Sequence, residues 1–325
     1  MNSSWHTSAI TVIVCGAMFS CACTGEARVD PDLTRRRAIL KDAGVPGKPS
    51  TSAPPARDAR VPASRALIDA AGAGDLVQLN EALAGMPLVR INARTAGGET
   101  ALTHAVWFGR ALSAARLLQA GADPNHVTDG GETALHYAIR RDRPEIVALL
   151  LNAGTSRETA DRRGYTPLMV AAGLGRLAVT ERLLALRTPN TTRDKDQRTA
   201  LLHAIRGGHP AVARLLITPT TVNQSDATGE SALFYAVRKD DFATLETLIA
   251  TGANVNTRNE LGETPLMAAA FFGRMKFVRR LLAAGARPDL RDEHDVYDAA
   301  LIARTGGHDA IAELIEAPWW VRWFY

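Results

Sequence analysis

Apolar and polar positions along most of this chain follow one unit that recurs. A typical copy, "TPLMVAAGLGRLAVTERLLAL" at 166–186, starts with a threonine and continues into small apolar residues, a glycine turn and a second apolar stretch at helical spacing. Thr166 followed by Pro167 is a typical helix start, because the hydroxyl caps free N–H groups and proline lacks the first of them. The pattern predicts two short helices joined by a tight turn.

The unit returns at a fixed distance. The threonine or serine that opens it stands at 100, 133, 166, 199, 231 and 264, in steps of 33, 33, 33, 32 and 33 residues. A catalytic constellation is usually built once, whereas a fixed period of this length indicates a repeat array. Each unit of such an array buries its apolar face against its neighbours, so the 325 residues do not require several separate globular domains.

Short motifs within the unit resemble those of ankyrin repeats. "TALHYA" (133–138), "TPLMVA" (166–171) and "TPLMAA" (264–269) are similar to the T-P-L-H-x-A signature of that family. "AGADPN" (120–125) and "TGANVN" (251–256) resemble the hairpin that joins one ankyrin repeat to the next. The resemblance implies an all-α fold, an ankyrin-repeat solenoid of helix-turn-helix repeats joined by β-hairpin-like turns.

Degenerate copies extend the array in both directions. One copy at 67–92 precedes the six clear ones and another at 298–317, displaced by one residue, follows them. We therefore predict about eight repeats within an ankyrin-repeat domain at 62–317. The fifth repeat departs most, because "ALRTPN" and "ITPTTVN" replace the usual Gly-Ala hairpins at its borders.

The N-terminus has the features of an export signal. The apolar run at 9–23 has signal-peptide length and is short for a membrane-spanning helix. "MFSC", which ends at Cys21, loosely resembles the lipobox of bacterial lipoproteins, and Cys23 follows a small residue. We predict a signal peptide of lipoprotein type at 1–22 and lipidation of one of the two cysteines. Ordinary cleavage after Ala22 is the alternative.

Two further segments lie outside the repeats. Residues 23–61 are rich in Pro, Ala and Arg and lack apolar periodicity, which predicts a disordered tether. The tail at 318–325 holds three of the five tryptophans, and it either caps the last repeat or lies at a membrane surface; the cap is favoured. We expect the chain on the periplasmic side of the cell envelope, with the membrane reached only through the lipid anchor. The alternative is a cytoplasmic adaptor or effector with an uncleaved N-terminus.

The composition and the histidines argue against catalysis. All cysteines lie at or before Cys23, so the repeats hold no disulfide and no thiolate metal site. His136 occupies a slot that holds Thr103, Met169 and Leu202 in other copies, which indicates a role in packing and hydrogen bonding. A net charge of +4 is a small excess for binding nucleic acid. We predict a chain without enzymatic activity, cofactor or metal, and no nucleic acid as a partner.

A candidate binding surface follows from the resemblance. Ankyrin proteins usually bind partners on the concave face, which is made of the turn tips and the first helices. The positions just before the helix-turn glycine are aromatic at both ends of the array and basic in the middle. These candidate partner-binding residues, called the concave strip below, are Trp107, Phe108, Arg140, Arg141, Arg206, Arg238, Lys239, Phe271 and Phe272.

The concave strip predicts a protein partner with an acidic surface, bound by a monomer. Aromatic and arginine side chains are enriched at binding hot spots, which supports this interpretation. The alternative is that Glu132 and Glu230, just before the motif threonine and serine, neutralise the basic residues.

Overall fold

The computed structural model describes residues 62–318 apart from Met86. The predicted signal peptide at 1–22 with Cys21 and Cys23, the tether at 23–61, and the tail from 319 onward lie outside the described residues. They stay predictions.

The described chain folds into eight helix pairs, and each pair with the turn before it forms one repeat. The first helices of the pairs are α1 (Pro62–Ala73), α4 (Ala101–Trp107), α6 (Ala134–Arg140), α8 (Pro167–Gly173), α10 (Ala200–Gly207), α12 (Ala232–Lys239), α14 (Pro265–Phe271) and α16 (Ala299–Thr305). The second helices are α2 (Leu76–Leu83), α5 (Ala111–Gln119), α7 (Pro144–Asn152), α9 (Leu177–Ala185), α11 (Pro210–Leu216), α13 (Phe242–Ala250), α15 (Met275–Ala283) and α17 (Asp309–Glu316). A short helix, α3 (Leu88–Ile91), connects the first two repeats.

This architecture confirms the predicted all-α solenoid. Within 62–318 the only β-type pairing is an isolated bridge between Ser225 and Ser231, so the turns resemble hairpins without forming strands. The predicted helix starts are confirmed in detail. The hydroxyl of Thr166 accepts a hydrogen bond from the N–H of Met169 at 3.4 Å, and Thr264 accepts one from Met267 at 3.3 Å.

The turns before the first helices share one construction. In repeat four, Oδ1 of Asp161 accepts hydrogen bonds from the N–H groups of Arg163 at 2.8 Å and Tyr165 at 2.9 Å. In repeat five, Asp194 binds the corresponding N–H groups. Adjacent tips are also joined, since the N–H of Lys195 donates to the carbonyl of Arg163 at 3.2 Å. The tips therefore line up as an edge beside the first helices, and several neighbouring tips are joined by backbone hydrogen bonds.

Two repeats depart from the period, and the structure locates each departure. In repeat eight the turn is closed by a hydrogen bond from the N–H of Asp292 to the carbonyl of Tyr297, five residues on, where other repeats use four. This extra residue displaces the last repeat by one position. In repeat five, α11 spans only Pro210–Leu216, seven residues against nine in α9, and the 32-residue step falls after it.

The first helices lie on the inner side of the array. They pack more closely against one another than the second helices do, so the stack curves with the first helices on its concave face. The closest approach is between α8 and α10, where a Cβ on Gly207 would lie 2.6 Å from the carbonyl oxygen of Gly173. Small residues such as Ala171 and Ala204, both fully buried, allow the helices to pack this closely.

Candidate partner-binding face

The N-terminal end of the concave strip is an aromatic cluster. Trp107, the last residue of α4, packs edge-on against Tyr137 with ring centroids 5.4 Å apart. The guanidinium of Arg141 stacks over the Trp107 ring at 3.7 Å, so this cation is used to cover an aromatic face. Phe108 is 44% exposed although it is large and apolar. The cluster thus presents apolar surface to solvent.

The C-terminal end of the concave strip repeats this arrangement. Phe271 is 45% exposed and packs edge-on against Phe272 at 5.2 Å. Phe272 is partly buried against the core, and Arg274 lies 5.4 Å above its ring. At this end Phe272 is held against the core and Phe271 stays open to solvent.

Two of the basic residues between these ends pair with carboxylates of the array itself. Nε of Arg140 lies 2.6 Å from Glu132, and its Nη2 lies 3.3 Å from Asp161. Arg238, whose side chain is 8% exposed, pairs with Glu230 at 2.9 Å. At these two positions the predicted turn glutamate lies against the arginine and offsets its charge, only in part at Arg238 because burial raises the pKa of Glu230 to about 7.

Arg206 differs because its repeat lacks this glutamate. Glu132 precedes Arg140 by eight residues and Glu230 precedes Arg238 by eight, but the residue eight before Arg206 is Arg198. Among the described residues Arg206 has no carboxylate within ion-pair distance.

The Arg206 charge is also felt by the last basic residue of the concave strip, Lys239. Burial, together with the positive charges of Arg238 and Arg206, lowers the pKa of Lys239. Arg206 of repeat five and Lys239 of repeat six therefore lie near enough to repel each other.

A pocket of about 520 Å³ opens at the middle of the concave face, around Gly173. Gly173 occupies the strip position between Arg140 and Arg206, and its missing side chain leaves the space open. The pocket walls include cations of the turn tips that the sequence analysis did not select, namely Arg162, Arg163, Lys195 and Arg198. We call these four, with Arg140, Arg206 and the Gly173 floor, the central pocket.

The histidines near the pocket hold the scaffold together. Nδ1 of His136 accepts a hydrogen bond from the N–H of Thr133 at 3.2 Å, and its Nε2 donates to the carbonyl of Tyr165 in the next repeat at 3.0 Å. Burial lowers the pKa of His136, so the ring is neutral in this network. Nε2 of His203 bonds the buried carboxylate of Asp194 at 2.8 Å. Both rings are committed to structural bonds.

Neither a cluster of metal ligands nor a membrane-spanning helix occurs among the described residues. Within 62–318, His, Cys, Asp and Glu side chains nowhere form a group of three or more that could hold a metal ion. Over the same residues, every helix is too short or too polar to cross a membrane.

Comparison with known proteins agrees with this helical solenoid. The family model described as "Ankyrin repeats (3 copies)" matches residues 102–191, 144–225, 181–259 and 219–292. These matches together span more than half of the chain, which belongs to the ankyrin-repeat family. No curated protein sequence matches it.

Solved structures show the same fold. The crystal structure of the ankyrin repeat domain of Bcl-3, described as a unique member of the IkappaB protein family, superposes with a TM-score of 0.58. It is 27% identical in sequence, and the alignment covers 66% of this chain and 98% of that one. Because 555 solved chains match, the fold alone identifies no particular partner. Ankyrin arrays are in general non-catalytic scaffolds for protein–protein interaction.

Proposed function

We propose that this chain is a non-enzymatic scaffold that binds an acidic protein partner through its concave face while tethered in the bacterial cell envelope. The observation that carries the proposal is the exposure of Phe108 and Phe271, 44% and 45%, at opposite ends of one face. The face between them spans about five repeat steps, roughly 50 Å at the usual spacing of packed helices. A surface of this length suits a folded protein or an extended segment better than a small ligand.

The distribution of charge supports an acidic partner. The open aromatic rings lie at the two ends. Between them lie cations that have no carboxylate partner among the described residues, namely Arg162, Arg163, Lys195 and Arg206. Exposed rings supply apolar contact area, and the cations supply long-range attraction that raises the association rate. The two residue classes should therefore act on different rate constants.

Capture of the partner from envelope extracts by the full-length chain, followed by kinetic measurement, tests the proposal. Trp107→Ala and Phe271→Ala should speed dissociation, because truncating a desolvated anchor typically costs about 2 kcal/mol or more. Leu215→Ala is the matched control, since this apolar side chain is 39% exposed on the outer helix α11. Equal effects of the control and the aromatic variants would contradict binding at the concave face.

The proposed location rests on the sequence "MFSCAC". Cys21→Ala combined with Cys23→Ala should release the protein from membranes, and globomycin should block its processing. A full-length chain recovered from the cytoplasm with an intact N-terminus would favour the second candidate, a cytoplasmic adaptor.

A further inference from the structure

The central pocket carries an excess of positive charge that its own repeats do not balance. Arg162, Arg163 and Lys195 are exposed at the tips of repeats four and five, and Arg206 closes the far side. None of the four side chains has a hydrogen-bonding or ion-pairing partner among the described residues. Asp196, the carboxylate in the pocket wall, is already bound to Arg198 at 2.5 Å.

The excess arises from substitutions at one repeated position. The residue before the motif threonine or serine is glutamate in repeats two, three, six and seven, but it is Tyr165 in repeat four and Arg198 in repeat five. The turn tips change in the same two repeats, where Arg162 and Lys195 occupy equivalent positions. Negative charge is lost and positive charge is gained at one place, so a local positive potential forms in a concave site.

We infer that the central pocket binds an extended acidic segment of a protein, with carboxylate side chains at alternate positions. Arg162 and Lys195 stand one repeat apart, about 8–10 Å, and Arg140 and Arg206 stand two repeats apart. A single anionic group cannot contact cations at both distances. Alternate side chains of an extended chain lie roughly 7 Å apart on one face, about 1–3 Å less than the step between repeats, a difference that long Arg and Lys side chains can span.

The residue types and the shape of the pocket fit the same ligand. Guanidinium groups bind carboxylates through paired N–H donors, so Arg162, Arg163 and Arg206 can each hold one acidic side chain in a defined orientation. Gly173 has no side chain at the floor of the pocket, so a peptide backbone can approach the floor closely there. The inference rests on the proposed function, because it specifies which part of a partner the concave face holds.

A peptide that alternates glutamate and serine over eight positions, labelled with a fluorophore, is the probe, and anisotropy at low ionic strength is the readout. The full chain should bind it, and the glutamine-for-glutamate version should not bind. Arg162→Glu combined with Lys195→Glu should weaken binding about tenfold or more, because two attractive contacts become repulsive. The variant should unfold at the wild-type urea concentration, since neither side chain has a hydrogen-bonding or ion-pairing partner in the part of the chain that the structure describes.

The matched control reverses two charges on outer helices. Arg214→Glu with Arg279→Glu changes the net charge equally, on exposed positions of α11 and α15. This control should alter binding no more than about threefold through the long-range field. Equal weakening by both pairs, or equal binding of the glutamine peptide, would overturn the inference. Arg206→Gln, a milder change, should also weaken binding, and wild-type affinity in that variant would overturn it.

Competitors separate this ligand from other anions. Displacement by inorganic phosphate, where chloride at equal ionic strength has no effect, would assign the pocket to single phosphate groups and overturn the inference. Preference for a single-stranded oligonucleotide over the peptide would overturn it as well. Peptide binding in a chain that captures no protein partner would refute the proposed function alone. A captured partner that is insensitive to the pocket charge reversals would refute this inference alone.

Discussion

Two glycines on adjacent inner helices should respond in opposite ways to the same substitution. Gly173 and Gly207 occur at the ends of α8 and α10, and neither has the positive φ that would itself require glycine. A Cβ on Gly173 would lie 3.7 Å from Cβ of His203, an ordinary contact. Gly173→Ala should therefore stabilise the fold by about 1 kcal/mol, because alanine loses less backbone entropy than glycine in a helix.

Gly207→Ala meets a different environment. Its Cβ would lie 2.6 Å from the carbonyl oxygen of Gly173 and 2.6 Å from the ring of His209. The ring can rotate away, but it then gives up its 3.2 Å hydrogen bond to that carbonyl, and the backbone oxygen can yield only if the helices separate. Overpacking typically costs about 1–3 kcal/mol of stability, and the lost hydrogen bond costs about 1 kcal/mol more. After subtracting the entropic gain of about 1 kcal/mol, we expect the free energy of unfolding to fall by about 2 kcal/mol.

Thermal unfolding followed by circular dichroism measures both changes. For a domain of this size 1 kcal/mol corresponds to a shift in Tm of roughly 2–4 °C, so the two variants should differ by about 6–12 °C. Equal Tm values for the two variants would refute the reasoning, because they would show that α8 and α10 do not approach as closely as the glycines indicate.

Three further predictions concern single side chains and are checked by urea unfolding. His136→Thr should lower the free energy of unfolding by about 1 kcal/mol, because threonine can cap its helix but cannot donate to the carbonyl of Tyr165. A decrease of more than about 3 kcal/mol would contradict this. Burial raises the pKa of Glu230 to about 7, so the folded state binds the proton more tightly than the unfolded one. Stability from this group should rise by about 3 kcal/mol as pH falls from about 7 to about 4.5, and Glu230→Gln should remove that rise. Asp298→Ala removes the 2.8 Å cap on the N–H of Leu301 and should cost about 1 kcal/mol, with hydrogen exchange in α16 increasing; unchanged exchange there would contradict the cap.

The fold was predictable from the sequence because a repeat makes each local signal count several times. One threonine or serine before a short apolar run is a weak indication of a helix start, but five threonines and one serine in phase predict both the helix starts and the number of clear repeats. The repeat positions also place the residues of the concave strip on one face. In the sequence, the extra residue in the turn of repeat eight shows only as a one-residue displacement of that repeat. Its location within the turn could not be predicted, because it depends on which backbone groups pair across the turn.

The charge state of the candidate site was less predictable. Position in the repeat places Arg140, Arg206 and Arg238 in equivalent places, yet two of them are paired and one is not. The residue eight positions upstream is glutamate for Arg140 and Arg238 but arginine for Arg206. It affects the charge at the helix end only because the bend of the turn brings it beside that end. The tip cations Arg162 and Lys195 lie outside the helix-end positions on which the predicted concave strip rests, so the strip does not include them.

The contact between Gly173 and Gly207 also has a geometric consequence for the whole array. The curvature of a solenoid is the sum of small rotations between neighbouring repeats. If a larger side chain moved the inner helices apart by about 1 Å while the outer helices, roughly 10 Å away, stayed in place, that step would rotate by about 6°. The repeats beyond it act as a lever, so a terminal aromatic pair about 25 Å further along would move by roughly 2.5 Å. The distance between the two aromatic ends, and with it the length of partner they can hold, is thus set at a junction that touches neither end.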